Sequence, residues 1–257
     1  MIGALILVGI AGGFCAGLLG IGGAVVLIPL MLSVPVFMGV GELSMNQVAG
    51  LTMLQVLASS FAALASHWRA GFAHTRTIFT IGLPMALFAL IGASASRLMA
   101  GETLLLIFGL MLIAAVILLF NPASEDHEGY HHHARRKTWA FCLTGTAVGT
   151  LSGIVGAGGG FILIPVMVRV LRVPMRTAVG SSLGIVFIGA IFGSIGKIMT
   201  LQVEWGYLAP LICSSIPAAL IGSSISHKLP PKFVRMTLLG LTIAILIGTW
   251  YKILSTL

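Results

Sequence analysis

The sequence has very little charge. Only 8% of its 257 residues are Asp, Glu, Lys or Arg, against roughly 25% in an average soluble domain. So few charged side chains could not cover the surface of a soluble protein of this length, which excludes an ordinary soluble domain. Apolar residues instead make up 58% of the chain. The composition therefore predicts a protein whose solvent is lipid.

Cysteine is also scarce, and its three copies are far apart. Cys15, Cys142 and Cys213 each lie inside an apolar run, without paired spacing. This arrangement predicts neither a disulfide framework nor a metal centre, and we expect no cofactor. No Asp or Glu lies deep in an apolar run. The sequence thus offers no carboxylate of the kind that relays protons inside membranes.

The net charge of +8 does not indicate a nucleic-acid partner. The basic residues form short clusters between apolar runs, and such clusters record the orientation of a membrane protein. No charged residue precedes Glu42. We therefore expect no cleavable signal peptide.

The apolar runs predict an all-α polytopic membrane protein. Eight stretches contain no Asp, Glu, Lys or Arg: 1–41, 43–68, 77–96, 103–124, 138–168, 177–196, 205–227 and 236–251. A spanning helix needs about 20 apolar residues, so six of the stretches fit one crossing each. The stretches 1–41 and 138–168 are too long for one helix, and glycines interrupt both. A polar segment, 121–137, separates a first membrane unit, 1–120, from a second, 138–257.

The two units are repeats of each other. Residues 13–31 align with 149–167 at an offset of 136, with nine identities in nineteen positions, including five glycines and a proline. Further along, the offset is 130, so Thr52 matches Ser182. Five glycines and a proline in register exceed what shared apolar composition produces. The sequence therefore predicts a duplication.

The basic residues favour inverted repeats over parallel ones. If each long stretch crosses once, the repeats are parallel and the fourteen Lys and Arg divide seven to seven. If each long stretch begins and ends on the same side of the membrane, the second half is inverted. Eleven of the basic residues then lie on one side, and only Arg97, Lys197 and Lys252 lie on the other. Eleven against three obeys the positive-inside rule. We therefore expect two inverted-topology repeats, each a glycine-broken helical hairpin plus three transmembrane helices, with a cytoplasmic linker and both termini outside.

The glycine-rich motifs are the candidate substrate site. Glycine permits the turns that a helix break needs, and a helix that begins at membrane depth presents unpaired N–H groups with partial positive charge. Two such termini would form an anion site without a buried cation. The residues concerned are Gly20, Gly22, Gly23, Gly156, Gly158 and Gly159. For Gly13, Gly17, Gly149 and Gly153, whose spacing is GxxxG, helix packing is the favoured role.

A few neutral polar residues lie inside the apolar runs. Thr52 and Gln55 are one helical turn apart, and Ser181 and Ser182 lie in the matching region of the second repeat. Residues of this kind often line a transport pathway. Ser and Thr also commonly bond their own backbone or a neighbouring helix, and that alternative stays open for each.

The chain resembles the TauE/SafE sulfite-exporter family in three features. These are the paired glycine motifs that run into Ile-Pro, the Gly-Ser-Ser at 180–182 and the layout of four plus four apolar runs. The resemblance covers nearly the whole chain except 121–137. It implies a carrier of small sulfur oxyanions such as sulfite, or of organosulfonates, in a bacterial-type inner membrane. The first repeat has Ala24 where the second has Gly160, so we expect an asymmetric site.

Two other functions remain as alternatives. One is an uncoupled small-anion channel that uses the same site. The other is a membrane-embedded enzyme with a metal held by His127 and His131–His133, although a histidine run in a linker is usually only solvated. The oligomeric state stays open, with a homodimer among the candidates.

Overall fold

The computed structural model describes residues 1–69, 73–120, 138–226 and 228–256. The regular structure in these ranges is helical. The first half contains α1 (Ile2–Leu19), α2 (Ala24–Phe37), α3 (Met45–Arg69), α4 (Thr75–Ala95), a 3₁₀ turn (Ser96–Leu98) and α5 (Gly101–Phe120). The second half contains α6 (Thr138–Val155), α7 (Gly160–Arg169), α8 (Met175–Met199), α9 (Trp205–Ser226) and α10 (Pro231–Thr256).

The helix lengths confirm a polytopic membrane protein. Within the described ranges, eight helices are long and apolar enough to cross a bilayer. The shorter apolar helices α2 and α7 have 14 and 10 residues. Large apolar side chains such as Leu87, Ile117 and Ile247 are exposed on the outside, where lipid would surround them. The all-α prediction is therefore confirmed.

The two long apolar stretches are broken where the glycine motifs lie. α1 ends at Leu19 and α2 starts at Ala24, while α6 ends at Val155 and α7 starts at Gly160. α2 runs back along α1, as the contact of the Leu27 side chain with Gly12 shows. Each half thus begins with a helical hairpin whose turn is made by the motif.

Glycine faces bring α1 against α9 and α4 against α6. Along α1, Gly9, Gly13 and Gly17 lie over the backbone of Leu211, Ser215 and Ala219 in turn. Along α6, Gly145, Gly149 and Gly153 lie over Ile81, Met85 and Ala89. A side chain at any of these glycines would collide with the neighbouring backbone, so the packing role predicted for the GxxxG glycines is confirmed. In each pair of helices, the residue numbers of the contacts increase in the same direction along both helices, so the two helices are parallel.

The helices α3 and α8 cross at the centre and run antiparallel. Phe61 packs on Phe187 with ring centroids 5.3 Å apart, and Met53 lies against Gly193. Residue numbers therefore rise along α3 as they fall along α8. Since α4 is parallel to α8 through Ile78–Gly184 and Met85–Gly189 contacts, α6 shares the direction of α8. Gln202, just before α9, lies against Gly50 near the start of α3, so α9 and its partner α1 start at the same end as α3.

These directions separate the charges onto two ends of the bundle. At the basic end, the described residues carry Arg76, Arg169, Arg172, Arg176, Lys228, Lys232 and Arg235. The opposite end carries Glu42, Glu102 and Glu204, each next to the start of a helix, with Arg97, Lys197 and Lys252. The hairpin of the first half opens toward the opposite end, and the hairpin of the second half opens toward the basic end.

Candidate functional site

The two breaks are made of glycines in the left-handed backbone region. In the first break φ is 73° at Gly20, 75° at Gly22 and 84° at Gly23. In the second it is 78° at Gly156, 62° at Gly158 and 71° at Gly159. An L side chain rarely adopts these angles, so glycine is required for the turn itself.

The two breaks meet in the middle of the bundle. A Cβ atom at Gly160 would lie 2.5 Å from the Ile21 carbonyl oxygen, so the breaks touch each other. Gly22 and Gly158 both face Val56 and Val186, which lie near the middle of the 25-residue helices α3 and α8. The structure thus brings the six motif glycines of the prediction into one region.

Each break is followed by a buried helix N-terminus. The α2 N-terminal residues Ala24 and Val25 are fully buried, as is Phe161 in the first turn of α7. In α2, the first backbone N–H to bond the carbonyl of the capping residue Gly23 is that of Val26. In α7, the first to bond the carbonyl of Gly159 is that of Ile162. Among the described residues, the N–H groups of the two positions before each of these make no hydrogen bond. These N–H groups are available to an anion.

Thr52 and Ser182 each bind the break of the other half. The Thr52 hydroxyl donates to the Gly156 carbonyl at 2.9 Å and to Val48 in its own helix at 2.7 Å. The Ser182 hydroxyl donates to the Gly20 carbonyl at 2.7 Å and to Val179 in its own helix at 2.8 Å. Both hydroxyl protons are therefore directed at protein carbonyls. These side chains hold the breaks in place and have no second proton for a substrate.

Ser181 does not join them. Its hydroxyl oxygen accepts a hydrogen bond of 3.0 Å from the backbone N–H of His74, which precedes α4. The side chain is buried, but it serves the start of a different helix. The structure thus separates Ser181 from its sequence neighbour Ser182.

Gln55 is one of the buried polar side chains that the described part of the fold leaves without a hydrogen-bond partner. It is fully buried, and within the described part of the chain neither its Oε1 nor its Nε2 atom has a hydrogen-bond partner. By helical spacing it shares a face of α3 with Thr52, Val56 and Ser59. All three contact the breaks. Thr52 bonds the Gly156 carbonyl, Val56 lies against Gly22 and Gly158, and Ser59 donates to the Gly22 carbonyl at 3.2 Å. The Gln55 amide therefore lies on the face that meets both breaks, and an unpaired buried amide is costly.

A buried lysine beside the second break was missed from the sequence. Lys197 is fully buried in α8, and its Nζ donates to Ser96 Oγ at 2.6 Å, Gln202 Oε1 at 3.0 Å and the Ile154 carbonyl at 3.2 Å. The last acceptor lies in the final turn of α6, two residues before Gly156. Lys197 therefore fixes the helix end that leads into the second break, and it does so from outside the break itself.

The metal alternative has no support in the described ranges. They contain no group of three or more His, Cys, Asp or Glu side chains placed to hold a metal ion. The histidines at 127 and 131–133 lie outside these ranges. Cys15, Cys142 and Cys213 are all free thiols.

Comparisons with known proteins give one consistent picture. The model of the family described as "Sulfite exporter TauE/SafE" matches residues 5–249. A probable membrane transporter protein of Xylella fastidiosa (strain 9a5c) is 30% identical over 223 residues, covering 84% of this chain and 81% of the relative. One from Methanocaldococcus jannaschii is 28% identical over 246 residues, covering 91% and 90%. No solved structure matches the chain. Both relatives are named as probable membrane transporters, and the matched family is a transporter family and not an enzyme family.

Proposed function

We propose that this chain, which belongs to the sulfite exporter TauE/SafE family, transports small sulfur-containing oxyanions of the sulfite or organosulfonate type. The substrate site is the region where the two glycine breaks meet. The observation that carries the proposal is the fully buried, unpartnered amide of Gln55 on the helix face that contacts both breaks.

The site binds its ligand mainly through N–H donors. The first turns of α2 and α7 supply backbone N–H groups with the partial positive charge of a helix N-terminus. Gln55 Nε2 supplies a side-chain donor. Thr52 and Ser182 act as positioning residues, because their hydroxyls tie each break to the opposite half. A small oxyanion has several acceptor oxygens, which suits such a set of convergent donors.

The two halves are inverted repeats in this proposal. The antiparallel contact of α3 with α8, two helices that correspond under the repeat, supports this arrangement. The two hairpins, which open toward opposite ends of the bundle, support it as well. Access to the site then alternates between the two sides of the membrane.

The orientation follows from the charges. The basic end of the bundle is the cytoplasmic side, which places the 121–137 linker in the cytoplasm and both termini outside. The membrane is the inner membrane of a bacterial-type cell.

Uptake by purified protein in liposomes tests the proposal. Radiolabelled sulfite, sulfate, thiosulfate and a short sulfonate are offered with and without ion gradients. We expect saturable uptake of sulfite or the sulfonate, with competition by the unlabelled compound. Flux far above carrier rates that does not saturate would indicate a channel. The absence of uptake of all four anions would overturn the proposed substrate class.

A further inference from the structure

A cavity opens at the basic end of the bundle. It is formed where α3 and α9 end and where α8 and α10 begin, and it is open to solvent on one side. Its lining includes His67, Arg176, Val179, Ser226, Pro231 and Val234. Arg176 is exposed at the mouth, whereas His67, Val179, Ser226 and Val234 are buried. We call this cavity the vestibule.

The vestibule lies beside the first glycine break. Val179 belongs to its wall, and a Cβ atom at Gly20 would lie 2.7 Å from Val179 Cγ1. The Ser182 hydroxyl, one turn further along α8, bonds the carbonyls of Gly20 and of Val179 itself. A single layer of side chains thus separates the vestibule from the break.

The electrostatics of the vestibule favour anions. Pro231 begins α10, and Arg176 is the second residue of α8, so two helix N-termini face the cavity. Arg176 contributes a full positive charge, and His67 contributes ring nitrogens. The other charged residues described at this end are basic, since Glu42, Glu102 and Glu204 lie at the opposite end.

The equivalent place in the other half is filled by hydrogen-bonded side chains. Under the 130-residue offset, His67 corresponds to Lys197, Ser226 to Ser96 and Val179 to Ala49. Lys197, Ser96 and Ala49 are each fully buried. Lys197 and Ser96 are joined by a hydrogen bond of 2.6 Å, and Gln202 completes the cluster. One half therefore holds a cavity where the other holds a hydrogen-bonded closure.

From these observations we infer that the vestibule is an anion-binding site of its own, through which a small oxyanion passes between the cytoplasm and the first glycine break. The Lys197–Ser96–Gln202 cluster is the closed counterpart of this site at the opposite end. The inference rests on the proposed function, because it assumes that the breaks hold the substrate. It adds a second binding site and a cationic residue, Arg176, that contacts the anion there.

Thiol labelling measures access to the two equivalent positions. The background is the full chain with Cys15, Cys142 and Cys213 replaced by serine or alanine, which must retain sulfite uptake. Val179→Cys and Ala49→Cys are introduced separately. A membrane-impermeant thiol reagent is applied to Val179→Cys in inside-out vesicles and to Ala49→Cys in right-side-out vesicles, so that it reaches the end of the bundle at which each position lies. We expect labelling at position 179, slowed by sulfate, and little labelling at position 49. Equal labelling of the two positions would overturn the inference.

A matched pair of charge removals tests the role of Arg176. In the Val179→Cys background, Arg176→Gln should abolish the protection by sulfate, whereas Lys232→Gln should leave it intact. Lys232 is exposed at the same end but does not line the cavity. In liposomes, Arg176→Gln should raise the KM for sulfite by about three- to ten-fold with little change in kcat, since cytoplasmic-side capture is weakened.

The outcomes separate this inference from the proposed function. Protection that survives Arg176→Gln, in a variant that melts at the parent's temperature, refutes the vestibule as an anion site. If protection is absent while saturable sulfite uptake is normal, the vestibule fails and the site at the breaks stands. If the parent takes up none of the tested sulfur anions, the proposed function fails first.

Discussion

Replacing Gln55 by leucine should change stability and affinity in opposite directions. Both polar atoms of this buried amide lack partners within the described ranges. A buried donor or acceptor without a partner costs about 1–3 kcal/mol. Leucine is similar in size and has no polar atoms. The ligand-free Gln55→Leu protein should therefore be more stable than the parent by an amount in this range.

The same change should weaken substrate binding. A hydrogen bond to a charged group contributes about 1.5–3 kcal/mol, which corresponds to roughly ten- to a hundred-fold in affinity. Equilibrium binding of radiolabelled sulfite to purified protein measures the affinity, and thermal unfolding without ligand measures the stability. We expect a higher melting temperature together with this loss of affinity.

Thr249→Val provides the matched control. Thr249 also has a buried hydroxyl without a partner among the described residues, but it lies near the end of α10 and not on the α3 face at the breaks. Its replacement should not weaken sulfite binding. The reasoning fails if Gln55→Leu lowers the melting temperature and binds sulfite within about three-fold of the parent's affinity. A lost hydrogen bond to a charged group should weaken the affinity more than that.

Three further predictions concern the breaks and the orientation. Gly22→Leu should abolish sulfite binding in a folded protein. Gly22 has φ 75°, and a side chain there would occupy the space beside Val56 where the breaks meet. Normal sulfite binding by this variant would mean that Gly22 serves only helix packing. Thr52→Val and Ser182→Ala should each lower stability by about 1 kcal/mol, measured by thermal unfolding, and change sulfite affinity less than Gln55→Leu does. In intact cells that express a cysteine-free background, an impermeant thiol reagent should label Glu102→Cys and spare Lys232→Cys; the reverse pattern would contradict the orientation.

The sequence predicts the membrane fold and the places of the breaks because both depend on local composition. Spanning helices need long apolar runs, and a tight turn at membrane depth needs glycine. The two broken stretches and the GxxxG packing faces follow directly from these requirements. The breaks at Gly20–Gly23 and Gly156–Gly159 confirm this part of the prediction.

The partners of individual polar groups could not be predicted, because they depend on how the helices rotate against one another. Position along α8 does not reveal that Ser182 faces Gly20 while Ser181 faces His74. In the sequence, Lys197 marks the charged boundary of an apolar run, although α8 continues to Met199 and the side chain turns inward. The 130-residue offset, which pairs Lys197 with His67 and Ser96 with Ser226, is the signal that could have identified the cluster.

The packing also changes which parts of the molecule we expect to move. The sequence suggests two halves that rock about the site. In the structure, however, α4 packs against α6 and α8 of the second half, with the α6 glycines in contact with its backbone, and α9 packs in the same way against α1 of the first half. Rocking of the sequence halves would separate these faces. We therefore expect one moving unit to contain α4 with α6 and α8, and the other to contain α9 with α1 and α3.

A disulfide between α4 and α8 distinguishes these two motions. A Cβ atom at Gly82 would lie 3.6 Å from Ile188 Cβ, within the range that a disulfide spans. Oxidised Gly82→Cys/Ile188→Cys protein should therefore keep its sulfite uptake, because the bond joins two helices of the same moving unit. A short cross-linker with two thiol-reactive groups, placed between cysteines at positions 61 and 187, joins α3 to α8 across the two units and should stop uptake. If oxidation of the Gly82→Cys/Ile188→Cys pair blocks uptake and reduction restores it, the sequence halves move as the rigid bodies and the swapped grouping of α4 and α9 is wrong.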